Sequence, residues 1–325
     1  MNTSRLPARA ALVLSALVCV VTAMPATAQP KKDRLVVSIL KGPSGLAAAW
    51  MMASPPSLPG VDLSFTMASG ADQVTASLIS GEIQAGVLPV NVAAKLFNAG
   101  VPIRALAVVG EGMVKLITAD PRITQISDLR GREIHIAGQK ATPDYLFRYL
   151  AGKAGLEAGR DFRPVYNLAY PEMAAQLAAG KISIAVLPEP FATQARMLAP
   201  SLTSFIDLDS LWKEATGLSV YPMSLLVVST RISTVVESAL PRLEVSYAAS
   251  ITKTNAEPSE SGKLAESLEL GMKAAVATAA IPLSAYRYTK ASEARSSIET
   301  LLKLFLEEDP VSVGGKLPGD GFYRP

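Results

Sequence analysis

The pattern that most constrains this chain is the regular exchange of short apolar runs with stretches of helical periodicity. Leu35-Val36-Val37-Ser38-Ile39-Leu40 reads as a buried strand, Gly42-Pro43-Ser44-Gly45 as a turn, and Leu46 to Ala53 as a helix ended by Pro55-Pro56. Strands are expected near 61–67, 84–88 and 103–109, with helices near 71–80 and 91–98 between them, and a similar set recurs from Arg132 to Asp207. Strand and helix taking turns at this spacing imply an α/β fold in which a mainly parallel sheet is covered by helices on both faces.

The recurrence is explicit when the chain is laid on itself. At an offset of 99 positions, Leu78-Ile79-Ser80-Gly81-Glu82-Ile83 through Val87-Leu88-Pro89 and Ala93 falls on Leu177-Ala178-Ala179-Gly180-Lys181-Ile182 through Val186-Leu187-Pro188 and Ala192. Each shared residue has a physical job: Gly takes the left-handed position after a helix, the apolar run forms a strand, and Pro ends it before the next helix. A period this long does not suit a solenoid. It suits two lobes built on one βαβ plan.

In open parallel sheets the ligand crevice lies beyond the carboxyl ends of the strands, where helix N-termini also point. The candidates are therefore Ser44 and Gly45 after the first strand, Asp72 and Asn91 at the next helix starts, Lys140 and Thr142 in the second lobe, and Glu189 and Phe191 after Pro188. Ser44, Asp72, Asn91 and Thr142 also suit helix N-caps, so capping alone would account for them. Glu189 lies between two prolines and has helix-dipole complementarity as its plain alternative, while Lys140 has solvated-loop chemistry as its own. Tyr145, Phe191 and Tyr221 could stack on a planar ring.

Other chemistry is poorly supplied. The chain has one Cys, Cys19, and one His, His135, so no Cys/His metal site or disulfide can be assembled. There is no GxGxxG after the first strand, no Walker A loop and no GxSxG elbow. SxxK spacing occurs at Ser38, Ser210 and Ser250 without its companion motifs, and Glu307-Glu308-Asp309 looks like a solvated helix end. His135 reads as a strand histidine packed opposite Ile134 and Ile136. A formal charge of +3, with no basic run beyond Lys31-Lys32, removes the main support for nucleic-acid binding. Neither a cofactor nor a metal is expected.

The first 28 residues read as a signal peptide: Arg5 and Arg9 precede an uncharged stretch from Ala10 to Ala23, and Ala26-Thr27-Ala28 offers small residues for cleavage, so the mature chain would begin at Gln29. Val18 before Cys19 argues against lipidation. Cleavage removes the only cysteine and leaves a near-neutral exported protein.

The export segment, Gly42-Pro43-Ser44-Gly45, Ala68-Ser69-Gly70-Ala71-Asp72, Ser127-Asp128-Leu129-Arg130-Gly131-Arg132, Thr142-Pro143-Asp144 followed by Arg148-Tyr149-Leu150, and Leu187-Pro188-Glu189-Pro190-Phe191-Ala192 together resemble periplasmic substrate-binding proteins of ABC importers. The group they look most like is the nitrate/sulfonate/taurine and thiamine-precursor (hydroxymethylpyrimidine) type, over roughly residues 34–230. The resemblance implies a two-lobed type II fold with two hinge crossings, placed here at Ile117 to Arg122 and near Tyr221 to Ser229. Lobe one is then 30–118 plus 227–325, and lobe two 119–226. It also implies a non-enzymatic, monomeric periplasmic protein that closes on a small solute and delivers it to a membrane permease and its ATPase. Ser44, Asn91, Thr142 and Glu189 match places that often line such a cleft. The histidine chemistry of the thiamine-precursor synthases of similar fold has no counterpart loop here. Alternatives are a secreted enzyme using Glu189 or Asp72 as acid/base, and the binding subunit of a membrane sensor. The cues to the solute conflict, since helix N-termini suit an anion and Glu189 an N–H donor; a neutral or zwitterionic small organic molecule is expected.

Overall fold

The structure is a computed structural model in which residues 32–136 and 138–325 are described. The signal-peptide expectations, Cys19 among them, lie outside the described residues. The first half-chain runs β1 (Asp33–Leu40), α1 (Pro43–Ala53), β2 (Val61–Ala68), α2 (Ala71–Ser80), β3 (Ala85–Pro89), α3 (Val90–Asn98) and β4 (Ile103–Glu111). The next stretch is β5 (Val114–Thr118), β6 (Glu133–Ile136), α4 (Thr142–Lys153), β7 (Arg163–Val165), α5 (Tyr170–Ala178), β8 (Ile184–Pro188), α6 (Phe191–Leu198), β9 (Ser204–Asp207) and α7 (Leu208–Thr216). The chain ends with β10 (Pro222–Ser229), α8 (Thr234–Ala256), α9 (Pro258–Ser267), α10 (Ala274–Ala280), β11 (Thr289–Lys290) and α11 (Arg295–Glu308).

Two sheets result, ordered β11-β4-β10-β3-β1-β2 and β7-β6-β8-β5-β9. Both are mixed, a departure from the mainly parallel sheets expected. β1 pairs parallel with β2 and β3, but β10 runs antiparallel between β3 and β4. In the second sheet β6 pairs parallel with β7 and β8, and β5 lies antiparallel between β8 and β9. The reversed strands are the ones that carry the chain between sheets. A strand arriving from the other lobe enters from the opposite end, which a helical periodicity does not reveal.

Burial follows strand position. Leu35 to Ile39 of the interior strand β1 are all buried, whereas edge strand β2 alternates buried and open positions along Val61–Ala68. The repeat is realised in the backbone: Gly81 (φ 79°) and Gly180 (φ 68°) both take the left-handed conformation after a helix, and Pro89 and Pro188 each end a strand. A side chain at either glycine would meet strain where Gly meets none.

The crossings lie earlier than expected. β5 already belongs to the second sheet, so the chain leaves the first sheet at Gly112-Met113 and not at Ile117 to Arg122; it returns through 217–221, just before β10. Gly112 (φ 60°) and Met113 (φ 72°) are both left-handed, and Gly112 N donates to Tyr221 O at 3.0 Å, tying the two crossings together. Holding a methionine there costs about 1–2 kcal/mol. An apolar strand looks the same in either sheet, so the residues of β4 and β5 do not themselves mark the break between them.

Candidate functional site

A cleft of about 470 Å³ opens between the two sheets, lined by residues of both. From the first come Leu40, Gly42, Ser44, Pro89, Gly110 and Met223; from the second, Thr142, Pro143, Tyr170, Pro188 and Phe191. Leu40, Pro89 and Pro188 are the last residues of β1, β3 and β8, so the cleft lies at the carboxyl ends of parallel strands, as the topology rule requires.

Four of the helix ends facing this cleft have no side chain at the N-cap to accept their N–H groups. The N-cap residues of α1, α2, α4 and α5 are Gly42, Gly70, Ala141 and Ala169, and none of these helices has a side-chain cap. By contrast α7 and α8 are capped by Asp207 and Ser233. Capping, the plain alternative for Ser44, Asp72, Asn91 and Thr142, is not what they do: each helix starts one or two residues earlier, leaving these side chains in the first turn. Pro43 supplies the reason in α1, because its fixed φ suits the first helical position and Gly42, at φ 89°, makes the turn before it. The predicted turn 42–45 is thus already helix from Pro43.

Of the candidate residues, Ser44, Thr142 and Phe191 line the cleft. Ser44 Oγ lies 3.3 Å from Ser224 Oγ, and Thr142 Oγ1 is buried with no partner among the described residues. Phe191 stacks on Tyr170 with ring centroids 5.3 Å apart and planes 19° apart. Gly45 packs behind the wall against Leu270. Asp72 is exposed on α2, outside the lining.

The remaining candidates hold the scaffold. Asn91, buried, donates from Nδ2 to Lys140 O at 3.2 Å, joining α3 to the loop before α4. Lys140 takes a left-handed turn (φ 62°), donates its backbone N–H to Asp144 Oδ2 at 2.9 Å, and places Nζ 3.1 Å from Asp309. That carboxyl is held below its ordinary range, chiefly by Lys140. Glu189 is 2% exposed; its N–H donates to Met113 O at 2.8 Å and its Oε2 accepts from Thr193 N at 2.9 Å, so it caps α6. Burial pushes the Glu189 carboxyl up, with the Thr193 hydrogen bonds opposing. Tyr221 is fully buried at the second crossing, donating to Asp209 Oδ1 at 2.6 Å and accepting from Val114 N at 3.2 Å. Tyr145, the third candidate ring, packs on Phe305 at 4.5 Å. His135 is buried on β6 beside Glu133, away from the cleft.

Sequence reasoning missed Tyr170, Met223, Ser224, Leu270 and Tyr286, all of which line the cleft. Tyr170-Pro171 opens α5 after β7 and was open to the same after-strand argument; Tyr286 sits in an irregular segment with no pattern to mark it. Among the described residues, no group of acidic, His or Cys side chains could hold a metal, and no helix is long and apolar enough to cross a membrane.

No protein-family model matches the chain, and no curated protein matches it. Solved structures do. An ABC transporter from Parabacteroides distasonis superposes with a TM-score of 0.79 at 27% identity, over 90% of this chain and 99% of that one. The periplasmic aliphatic sulphonate binding protein of Escherichia coli gives 0.70 at 16% identity, over 90% and 92%. The zinc-bound ligand binding component of an ABC-type import system from Staphylococcus aureus gives 0.69 at 16%, over 90% and 97%. The resemblance read from the sequence therefore extends to the whole described fold, which is that of the solute-binding components of ABC import systems.

Proposed function

We propose that this chain is an extracytoplasmic solute-binding protein that captures a small organic molecule between two lobes and passes it to an ABC importer. The observation that carries this reading is the cleft at the strand ends, walled from both sheets and ringed by four helix N-termini that no side chain caps. Orphan N–H groups at a helix end require an acceptor, and here a solute supplies it. Lobe one comprises 32–111 plus 222–325 and lobe two 114–216, with paired crossings at 112–113 and 217–221 acting as the hinge. Binding energy from a solute that touches both lobes stabilises the closed form, which then docks as a monomer on the permease. Export follows cleavage after Ala28, so N-terminal sequencing of periplasmic protein should begin at Gln29.

Ser44, Thr142 and Phe191 are the contacts retained from the sequence; Tyr170 and Tyr286 join them. Catalysis gains no support, since Glu189 is occupied in capping α6 and Asp72 lies outside the cleft lining. The test is a thermal-shift screen of the mature chain across sulfonates, pyrimidines, flavins, nitrate and small organic acids. A solute that binds only the folded state raises the melting temperature, and a hundredfold excess over Kd corresponds to roughly 2.7 kcal/mol. Failure of every solute class to shift the transition of ligand-stripped protein would remove the reading.

A further inference from the structure

The cleft has a wall chemistry and a polar corner that together narrow its solute. Five prolines line it, Pro43, Pro89, Pro143, Pro171 and Pro188, and beside them stands the near-parallel Tyr170–Phe191 pair. Pro rings and stacked aromatics present flat apolar faces and few hydrogen-bonding groups, so they suit a flat apolar body and leave a polar, flexible chain poorly solvated. Among the described residues, the only charged one in the lining is Lys41, which is exposed.

The polar corner is made by neutral donors. Thr142, 2% exposed, lines the cleft, and its hydroxyl oxygen is buried without a hydrogen-bond partner among the described residues. A buried hydroxyl left unpaired is costly, and native structures seldom leave one so. Thr142 also opens α4, whose N-terminus has no N-cap side chain and favours negative charge; Asp144 in the same turn is taken up by Lys140 N, Arg148 and Tyr166. A buried, unsatisfied hydroxyl at a helix N-terminus matches an anionic oxygen acceptor. Ser44 and Ser224 face each other at 3.3 Å, which uses one of their two hydroxyl protons and leaves the other free to donate.

We infer that the solute is an aromatic carboxylate: a flat ring lies along the Tyr170–Phe191 wall, and its carboxylate accepts from Thr142 Oγ1 at the N-terminus of α4. This rests on the reading of the cleft as a solute site and narrows it. It also departs from the neutral or zwitterionic molecule expected from sequence, because the acid that favoured an N–H donor, Glu189, is spent on α6.

The test is calorimetric titration of ligand-stripped mature protein with benzoate, 2-naphthoate, cyclohexanecarboxylate, benzamide and ethanesulfonate. An aromatic carboxylate should bind, with benzoate exceeding cyclohexanecarboxylate by roughly threefold to tenfold from ring stacking, and exceeding benzamide and ethanesulfonate by at least about tenfold. Thr142→Val should weaken benzoate by about tenfold and keep the ring preference, whereas Phe191→Leu should abolish the ring preference. If Phe191→Leu does not fold, Tyr170→Leu serves the same comparison. Equal affinity for the saturated ring, for the amide or for the sulfonate overturns the inference, as does no binding of either aromatic acid. If those probes fail while another solute class shifts the melting transition, the aromatic-carboxylate inference falls and the solute-binding reading stands; if nothing shifts it, both fall.

Discussion

Tyr221→Phe separates a hinge residue from a ligand contact. In the structure its hydroxyl is fully buried, donates to the Asp209 carboxylate at 2.6 Å and accepts the Val114 N–H at 3.2 Å, where the chain first enters the second sheet. Burial and the neighbouring Asp209 keep this phenol protonated well above its ordinary range, so it serves as a donor at any physiological pH. Phenylalanine keeps the ring and its edge-on contact with Trp212, at 5.6 Å between centroids, and removes only the oxygen. Two losses follow. A hydrogen bond to a charged acceptor is worth about 1.5–3 kcal/mol, and a buried N–H left without an acceptor adds about 1 kcal/mol, so the expected destabilisation is about 2.5–4 kcal/mol. Urea unfolding at pH 7 should show this as a lower midpoint with an unchanged slope. Solute affinity, measured by calorimetry well below the unfolding transition, should change by less than about threefold, because Tyr221 is absent from the cleft lining. A variant as stable as wild type that loses tenfold or more in affinity would refute the argument and return Tyr221 to the site.

Glu189→Gln should leave solute affinity intact, since the side chain caps α6 outside the cleft. Its pKa is raised in the fold by burial, so the folded state binds its proton more tightly than the unfolded chain; that stabilisation is full below the ordinary carboxylate value and lost as pH rises through the folded one. Gln can still accept from Thr193 and carries no charge, so the variant should gain on wild type in thermal melts as pH rises above the ordinary carboxylate value, and a pH-independent difference would contradict this. Asp309 behaves oppositely: Lys140 lowers its pKa, so its contribution is present above the ordinary Asp value and lost as pH falls through the folded one. Asp309→Asn should therefore cost up to about 1 kcal/mol at pH 7 and low salt, less in acid or in high salt, and an effect unmoved by salt would count against the ion pair. Small-angle scattering should give a smaller radius of gyration with saturating solute and no change in mass; an unchanged profile would leave hinge closure unsupported.

What the sequence determined by itself is local. The apolar run of β1, the helix periods and the glycines and prolines of the repeat each act through their own backbone or nearest neighbours, so their roles at Gly81, Gly180, Pro89 and Pro188 were legible at once. The resemblance carried the two-lobed plan as well. Pairing was not legible: β5 and β10 overlap the segments that read as hinge crossings, and only their insertion between distant neighbours shows that they reverse the sheets and where the chain crosses. The same limit divided the candidate site. Ser44, Thr142 and Phe191 follow strand ends and face the cleft, but Asn91, Lys140, Glu189 and Tyr221 are polar groups whose partners lie elsewhere in the fold. A buried polar side chain must find a partner, and whether that partner is a solute or another part of the chain depends on contacts across long sequence separations, which only the tertiary structure decides.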